Sequence, residues 1–410
     1  MSPSKAVLRM ISNRDFIVIG LQALDSRIGS NCINIAQEIA RFNRVLYVNY
    51  PLDRLTRFRE RKDPLIQKRI RVVRGLEPDL VQISDNLWNL NPRTTLESIS
   101  QLPNNTLFDF LNKINNKRFA RQIKSAIQRL DFSNYFIFND SDMFRGFYLK
   151  EMLSPELYVY YTRDNLIAVD FWKTQGIRIE AALMAKSDLV VANSTYLADH
   201  ARKFNPRSYY VGQGCDVSLF DKKLIDRVPE DISNIPGPII GYIGALFSLR
   251  LDLEVIEHIA LQRPQWQVVL VGPEDETFKT SRLHQIKNIH FLGPKKMEEL
   301  PYYLNAFDVA INPQLLNEVT IGNYPRKIDE YLAMGKPTVA TRTKAMEVFE
   351  DYTYLADSKE QYVTLIDKAL DENTPELEAA REVFARSHTW ENNVLEIYKW
   401  MIHTLQQPKS

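Results

Sequence analysis

Arg326, Lys327 and Glu330 sit together in the segment PRKIDEYLAMGKP, residues 325–337. On a helix, Lys327 and Glu330 share one face. A helix start presents unpaired N–H groups and the positive end of the peptide dipole, and two cations beside it would hold an anion. A carboxylate one turn deeper would accept hydrogen bonds from ribose hydroxyls. That combination suits a nucleotide diphosphate. It equally describes the wet face of an ordinary surface βα unit, and the stretch alone leaves both open. The elements that must position these groups can be read on either side. Phe307 to Asn312 is a short apolar strand ended by Pro313, and a polar loop runs from Gln314 to Asn323. The pattern predicts a helix opening at Tyr324-Pro325, because Pro suits the first helical position. Gly335 and then Lys336-Pro337 stop it, and Thr338-Val339-Ala340 starts the next strand.

At 410 residues the chain is long enough for two domains with filled cores. A net charge of +1 gives no argument for nucleic acid as a partner. Cys32 and Cys215 are far apart and make no metal-type spacing, and the six His residues are scattered, which points to a reducing cytoplasm. The first residues, MSPSKAVLRMISNRD, lack the apolar core of a signal peptide, and no run of about 18 apolar residues exists. Charge is concentrated locally. Residues 54–74 hold Arg54, Arg57, Arg59, Arg61, Lys62, Lys68, Arg69, Arg71 and Arg74, interleaved with apolar residues such as Leu55 and Phe58. Lys117, Arg118, Arg121, Lys124 and Arg129 form a second basic stretch on a predicted helix. Both read as solvated helical faces or as a surface for anionic lipid.

Phe16 to Gly20, a loop to Gly29, a helix over 30–42 and a strand over 44–49 form a βαβ unit, which implies a parallel sheet. No G-x-G-x-x-G follows the first strand, so the dinucleotide fingerprint is absent. Further strands are predicted at 87–90, 135–138, 157–161, 188–193 and 208–211. A charged stretch ending Asn234-Ile235-Pro236-Gly237-Pro238 reads as a linker. A second α/β series begins at Ile239, and an amphipathic helix closes the chain after Thr389-Trp390. The predicted division is 1–220, a linker over 221–238, a second domain over 239–387, and a last helix over 388–410.

This order of parts resembles the two-domain GT-B glycosyltransferases, most closely the retaining family 4 type of bacterial polysaccharide pathways. Residues 325–337 look like that family's donor-site helix, P-x-K-x-x-E-Y-x-A-x-G-K-P. The strand DLVVANS at 188–194 and the segment GQGCD at 212–216, followed by Phe220, fall where the family has similar signals. The resemblance implies two Rossmann-like domains facing across a cleft, the first for the acceptor and the second for a nucleotide sugar, with the last helix crossing back to the first domain. The activity implied is sugar transfer to a glycan, a lipid-linked saccharide or a small molecule, with no resident metal or cofactor.

Carried over by position, Glu330 would bind the donor ribose and Lys327 the diphosphate, with Pro325 and Arg326 beside them. Gly244 matches the first glycine of the family's G-R-x-x-x-x-K-G loop, Arg250 falls on its Lys, and Ala245 replaces its Arg. Gly322 stands where a Glu eight residues before Glu330 is expected. Gly293 lies where backbone groups hold the base, or is an ordinary turn. Asp164 is the candidate base or acceptor-orienting carboxylate, and Arg163 the candidate partner of an acceptor phosphate. Asp25, Arg27 and Gly29 lie in the loop after the first strand, where parallel sheets present ligands. Glu180 reads as a structural partner. Asp140-Ser141-Asp142 is a D-x-D, a metal motif in the other glycosyltransferase fold, but two α/β domains argue for the fold that uses cations instead. Two alternatives share the architecture: a sugar-nucleotide 2-epimerase, disfavoured by the scarcity of His, and a catalytically silent scaffold, suggested by Ala245 and Gly322.

Overall fold

The structure, a computed structural model, describes residues 10–26 and 30–408. The chain divides into two compact units: residues 1–212 with 390–410, and residues 213–389. The elements of the first unit begin with β1 (Asp15–Ile19), α1 (Asn31–Ala40), β2 (Arg44–Val48), β3 (Leu52–Asp53), α2 (Arg54–Arg59) and α3 (Pro64–Val73). Next come β4 (Leu80–Ser84), β5 (Leu87–Leu90), β6 (Thr95–Leu96), α4 (Asn105–Leu130), β7 (Phe136–Asp140) and α5 (Leu149–Leu153). The run closes with β8 (Leu157–Thr162), α6 (Asp170–Lys186), β9 (Leu189–Ala192), α7 (Thr195–Arg202) and β10 (Ser208–Tyr210).

Its main sheet has the order β10-β9-β8-β7-β1-β2-β5-β4. All neighbours are parallel except β4, which runs antiparallel to β5 at the edge. The central strands are apolar along their whole length because both faces are covered, the rule for parallel sheets. Ile17, Leu46, Ile137 and Tyr158 point to the α4 side; Phe16, Val45, Phe136 and Val159 point to the α1 side. The edge strand β4 was not predicted. Four of its five residues are exposed, so the chain there carries no core signal.

Elements of the second unit open with α8 (Glu230–Ser233), β11 (Ile239–Ile243), α9 (Leu253–Gln262), β12 (Gln267–Val271), α10 (Glu276–Lys279) and β13 (Ile289–Gly293). They continue through α11 (Leu300–Asn305), β14 (Val309–Asn312), α12 (Lys327–Ala333), β15 (Thr338–Thr341), β16 (Tyr354–Ala356), α13 (Lys359–Glu372) and α14 (Pro375–Ser387). Its sheet, β13-β12-β11-β14-β15-β16, is wholly parallel. Asp252, Ser358 and Thr374 cap α9, α13 and α14 with their side-chain oxygens.

The expected linker over 221–238 is instead part of the second unit, which starts at Gln213. The reason is packing: Cys215, Val217, Phe220 and Ile232 join the core beneath β11 and α12. The final helix, α15 (Trp390–Gln406), belongs to the first unit. Val394, Ile397, Tyr398 and Met401 bury its apolar stripe against α1 and the sheet. Tyr398 Oη accepts a bond from Asn43 Nδ2 (3.0 Å), Trp400 stacks on Tyr209 (3.6 Å between ring centres), and Asn393 Nδ2 donates to Val211 O (2.9 Å). Among the described residues, no helix is long and apolar enough to cross a membrane.

Candidate functional site

In the second unit, three neighbouring strands end in glycine. Gly244 follows β11, Gly272 follows β12, and Gly293 ends β13. Gly244 and Gly272 have φ of +142° and +152°, where an L side chain is strained. A Cβ on Gly272 would stand 1.9 Å from Gly244 O, so the two backbones pass in direct contact. Gly272 N donates to Gly293 O at 3.0 Å. No heavy atom lies within 4 Å of the place a Cβ would take on Gly293. The three glycines thus form a bare backbone floor at the carboxyl ends of a parallel sheet, where such folds bind ligands.

Lys327 reaches this floor. A Cβ on Gly244 would stand 2.8 Å from Lys327 Nζ. The ammonium donates to the Tyr242 hydroxyl and lies 3.9 Å from the centre of the Tyr242 ring. Burial pushes the Lys327 pKa down to about 7; Glu330 opposes that shift and the Arg250 charge adds to it. Burial raises the Glu330 carboxyl to about 7, against the pull of Arg326 and Lys327. Arg250 is exposed, in the loop between β11 and α9. Gly244, Arg250, Lys327 and Glu330 are therefore brought together.

The helix carrying them starts later than expected. α12 runs from Lys327, with Arg326 as its N-cap, so Pro325 precedes the cap rather than opening the helix. Ile328 N donates to Pro325 O (2.9 Å) and Asp329 N to Arg326 O (3.0 Å), a tight three-residue turn that delays the α pattern. Lys327 becomes the first helical residue. Tyr331 fixes the far end of the contact: its hydroxyl accepts from Ile243 N at 2.9 Å and donates to Ile243 O at 3.2 Å.

Sequence reasoning missed the supports of Arg326 and Asp329. Arg326 Nε is buried without a hydrogen-bond partner, and the guanidinium lies near the Cys215 thiol, whose pKa it lowers against the larger effect of burial. Asp329 is fully buried; its Oδ1 accepts from His388 Nδ1 (2.7 Å) and Tyr324 Oη (3.3 Å). His388 O in turn accepts from Cys215 N at 2.8 Å. No spacing rule links residues 215, 329 and 388. Gly272 was findable, since Val269-Leu270-Val271-Gly272 repeats the apolar-strand-then-glycine pattern of Tyr242-Ile243-Gly244.

In the first unit the candidates are already engaged. Arg163 forks onto the buried Asp140 (Nε to Oδ1 2.8 Å, Nη2 to Oδ2 3.4 Å) and binds Asp164 at 3.0 Å. Asp142 is buried and paired with Arg145 at 2.6 Å. Both carboxylates of the D-x-D thus serve arginines. No group of three or more His, Cys, Asp or Glu suited to a metal occurs among the described residues. Asp25 is bound by Lys68 of α3 at 2.9 Å, with Arg69 at 3.8 Å. Arg27 and Gly29 lie outside the described residues. Glu180 accepts from Tyr160 Oη at 2.7 Å inside the core, and burial raises it to about 7.

Known proteins align with these features. Residues 237–372 match the family described as Glycosyl transferases group 1. TuaH of Bacillus subtilis (strain 168), named as a glycosyltransferase of teichuronic acid biosynthesis, is 27% identical over 253 residues, which are 58% of this chain. The chain spans 62% of that relative's length. Among solved structures, HepE of Anabaena in complex with UDP superposes with a TM-score of 0.62 at 16% identity, covering 96% of this chain and 99% of that one. Sucrose-phosphate synthase of Thermosynechococcus elongatus gives 0.61 at 15% identity, covering 95% and 99%. The α,α-trehalose 6-phosphate synthase of Burkholderia multivorans gives 0.64 at 11%, covering 97% and 98%. At these identities the superpositions speak for the fold, and the family match speaks for the segment that holds Gly244, Lys327 and Glu330: residues 237–372 are similar to the group 1 glycosyl transferases, in a chain with the two-unit GT-B fold.

Proposed function

We propose that this protein transfers a sugar from a nucleotide-diphosphate sugar to a glycan or lipid-linked acceptor in the synthesis of a cell-surface polysaccharide. The observation that carries the reading is Lys327 Nζ reaching the glycine floor at Gly244, with the Glu330 carboxyl close enough to Lys327 to act on its charge. The diphosphate lies against Gly244 and the first turn of α12, met by Lys327, Arg326 and Arg250. Glu330 accepts from the ribose hydroxyls, and the base lies over Gly293. As the bond from the anomeric carbon to the phosphate oxygen breaks, charge grows on the leaving diphosphate. Lys327 and Arg250 stabilise that charge, the work a metal performs elsewhere, so no resident metal or cofactor is required. The acceptor oxygen forms the new glycosidic bond and passes its proton to Asp164, which Arg163 holds in place. Asp25 lines the acceptor side. Retention of the anomeric configuration is part of the reading, by resemblance to family 4, and the anomeric coupling of the product checks it.

The test is incubation with a panel of sugar nucleotides. A bound nucleotide at about 100 times its Kd adds roughly 2.7 kcal/mol to stability and raises the melting temperature. Release of nucleoside diphosphate with transfer or slow hydrolysis supports the proposal. Interconversion of two sugar nucleotides would assign an epimerase instead, and no binding at all would leave a silent scaffold.

We further infer that the protein works in the cytoplasm, on the inner face of the plasma membrane. Of the basic stretch at 54–74, Arg54, Lys68 and Arg71 are paired with carboxylates and Arg69 is buried. What projects is α2 and the turn after it: Arg59, Arg61 and Lys62 around Leu55 (50% exposed) and Phe58 (74% exposed). The solvent face of α4 adds Leu107, Phe110, Lys113, Lys117, Arg121 and Lys124. Exposed aromatics ringed by cations suit anionic lipid. Replacing Arg57, Arg59, Arg61 and Lys62 with Ser is expected to remove about 1 kcal/mol of attraction per charge. Flotation with phosphatidylserine-containing vesicles measures it, and unchanged flotation would sink the idea.

A further inference from the structure

α12 is only seven residues long. A helix that short gains little from its own backbone ladder, so side chains that tie it to its neighbours set its orientation. Tyr331 ties one side to the backbone of Ile243. Asp329 ties another, two residues after Lys327 and one before Glu330. Its side chain is fully buried, and Oδ2 has no hydrogen-bond partner, so Oδ1 carries the connection. Of the two donors to Oδ1, His388 Nδ1 makes the shorter bond, 2.7 Å against 3.3 Å from Tyr324 Oη. The imidazole is itself held. Its ring meets Phe384 (4.5 Å between centres, 69°) and Phe349 (6.0 Å, 70°) edge to face. Its backbone N donates to Ala385 O at 3.1 Å, and its O accepts from Cys215 N at 2.8 Å.

A buried carboxylate needs a partner that satisfies its charge. Burial pushes the Asp329 carboxyl up; the bond and charge of His388 oppose this most, ahead of Tyr324 and Arg326. With His388 in place, Arg326 is not the only cation answering that carboxylate. Without it, Asp329 takes up a proton or draws on Arg326, and either change loosens the first turn of α12. Site groups work only when held within about 0.5 Å of their productive geometry, and a misplacement of about 1 Å can lower a rate by about 10². We propose that His388, acting through Asp329, positions the first turn of α12 and so places Lys327 and Glu330 for the diphosphate and ribose of the donor. It is a positioning residue, since the contact with the donor is made by α12. The role rests on the glycosyl-transfer reading of this site; the Asp329–His388 bond does not.

Calorimetry on the full chain tests it, with UDP, GDP, ADP and CDP as probes and each protein held well below its melting temperature. His388→Phe keeps an aromatic ring between Phe349 and Phe384 but loses the donor; it is expected to raise the Kd of the bound diphosphate about tenfold. His388→Asn, whose amide N–H can stand near Nδ1, is expected to recover affinity to within about threefold of the parent. Lost stability alone would lower the melting temperature and leave the Kd of the folded protein unchanged. A double-variant cycle adds a second reading. Independent losses multiply, whereas His388→Phe added to Glu330→Ala is expected to weaken binding less than about threefold further, because both act through one helix turn. If His388→Phe does not fold, Tyr324→Phe, which removes the longer bond to the same oxygen, enters the same cycle. A parental Kd in His388→Phe, a loss that His388→Asn does not recover, or full multiplication in the cycle overturns the proposal. A parent that binds no nucleoside diphosphate removes the donor-site reading along with it; binding by the parent with unchanged affinity in His388→Phe removes the positioning role alone.

Discussion

Lys327→Ala is expected to slow sugar transfer by about 10²–10³-fold, the loss usual when one preorganised donor to a developing anion is removed. Glu330→Ala is expected to act earlier, weakening nucleotide binding by about tenfold to a hundredfold, as for a lost charged hydrogen bond. The two should separate in kinetics. Lys327 meets diphosphate charge that is present on binding and grows during bond breaking, so its loss weakens Kd and lowers kcat as well. Glu330 meets ribose hydroxyls that do not change in the reaction, so its loss appears mainly in KM and in Kd measured by calorimetry. Truncating Lys327 also uncovers the Tyr242 ring, which the ammonium now overlies at 3.9 Å. Lys327→Arg therefore serves as a companion variant, keeping the charge while changing its geometry. If Glu330→Ala binds the nucleotide as the parent does and Lys327→Ala transfers at the parental rate, the donor site is elsewhere.

The helix α12 was legible because its signals are local. Glycine after α12, the Arg-Lys pair at its start and Glu330 one turn on all depend on neighbours in sequence, and the structure keeps them together. Its start was misplaced by two residues, since Pro325 fits the first helical position as well as it fits the turn ahead of a cap. Long-range contacts were invisible. Asp329, His388 and Cys215 meet only because α14 returns beside α12, and no periodicity encodes that. The same holds in the first unit. Arg163 and Asp164 end β8 as expected, but the sequence could not show that Asp140, at the end of the neighbouring β7, takes up the Arg163 guanidinium. The basic run at 54–74 looked uniform in composition, yet folding spends Arg54, Lys68 and Arg71 on carboxylates brought from elsewhere in the chain. The linker was misjudged for a related reason: charge and proline describe its surface, while Val217, Phe220 and Ile232 anchor it to a core assembled from distant strands.

Nucleotide binding is expected to depend on pH with a maximum near neutrality. Burial lowers Lys327 from 10.5 to about 7 and raises Glu330 from 4.5 to about 7. In the folded chain without ligand, Glu330 holds its proton longer than when unfolded, so its contribution to stability is complete below about 4.5 and is lost as pH rises through about 7. Lys327 gives up its proton earlier than when unfolded, so it costs nothing above about 10.5 and destabilises progressively as pH falls toward about 7. The two slopes meet near pH 7, where both groups are half ionised. A diphosphate changes this balance. Its negative charge favours the ammonium form of Lys327, so binding above pH 7 must take up a proton, and affinity should fall by up to about tenfold per pH unit there. Below pH 7, Glu330 is protonated and loses its strength as an acceptor for the ribose hydroxyls, so affinity falls on that side too. Calorimetry in buffers of different ionisation enthalpy reads the proton uptake directly. Lys327→Arg should flatten the alkaline arm, because a guanidinium stays charged, and Glu330→Gln should flatten the acid arm. An affinity that does not change between about pH 6 and 9 would mean that neither group touches the ligand, however close they lie to each other.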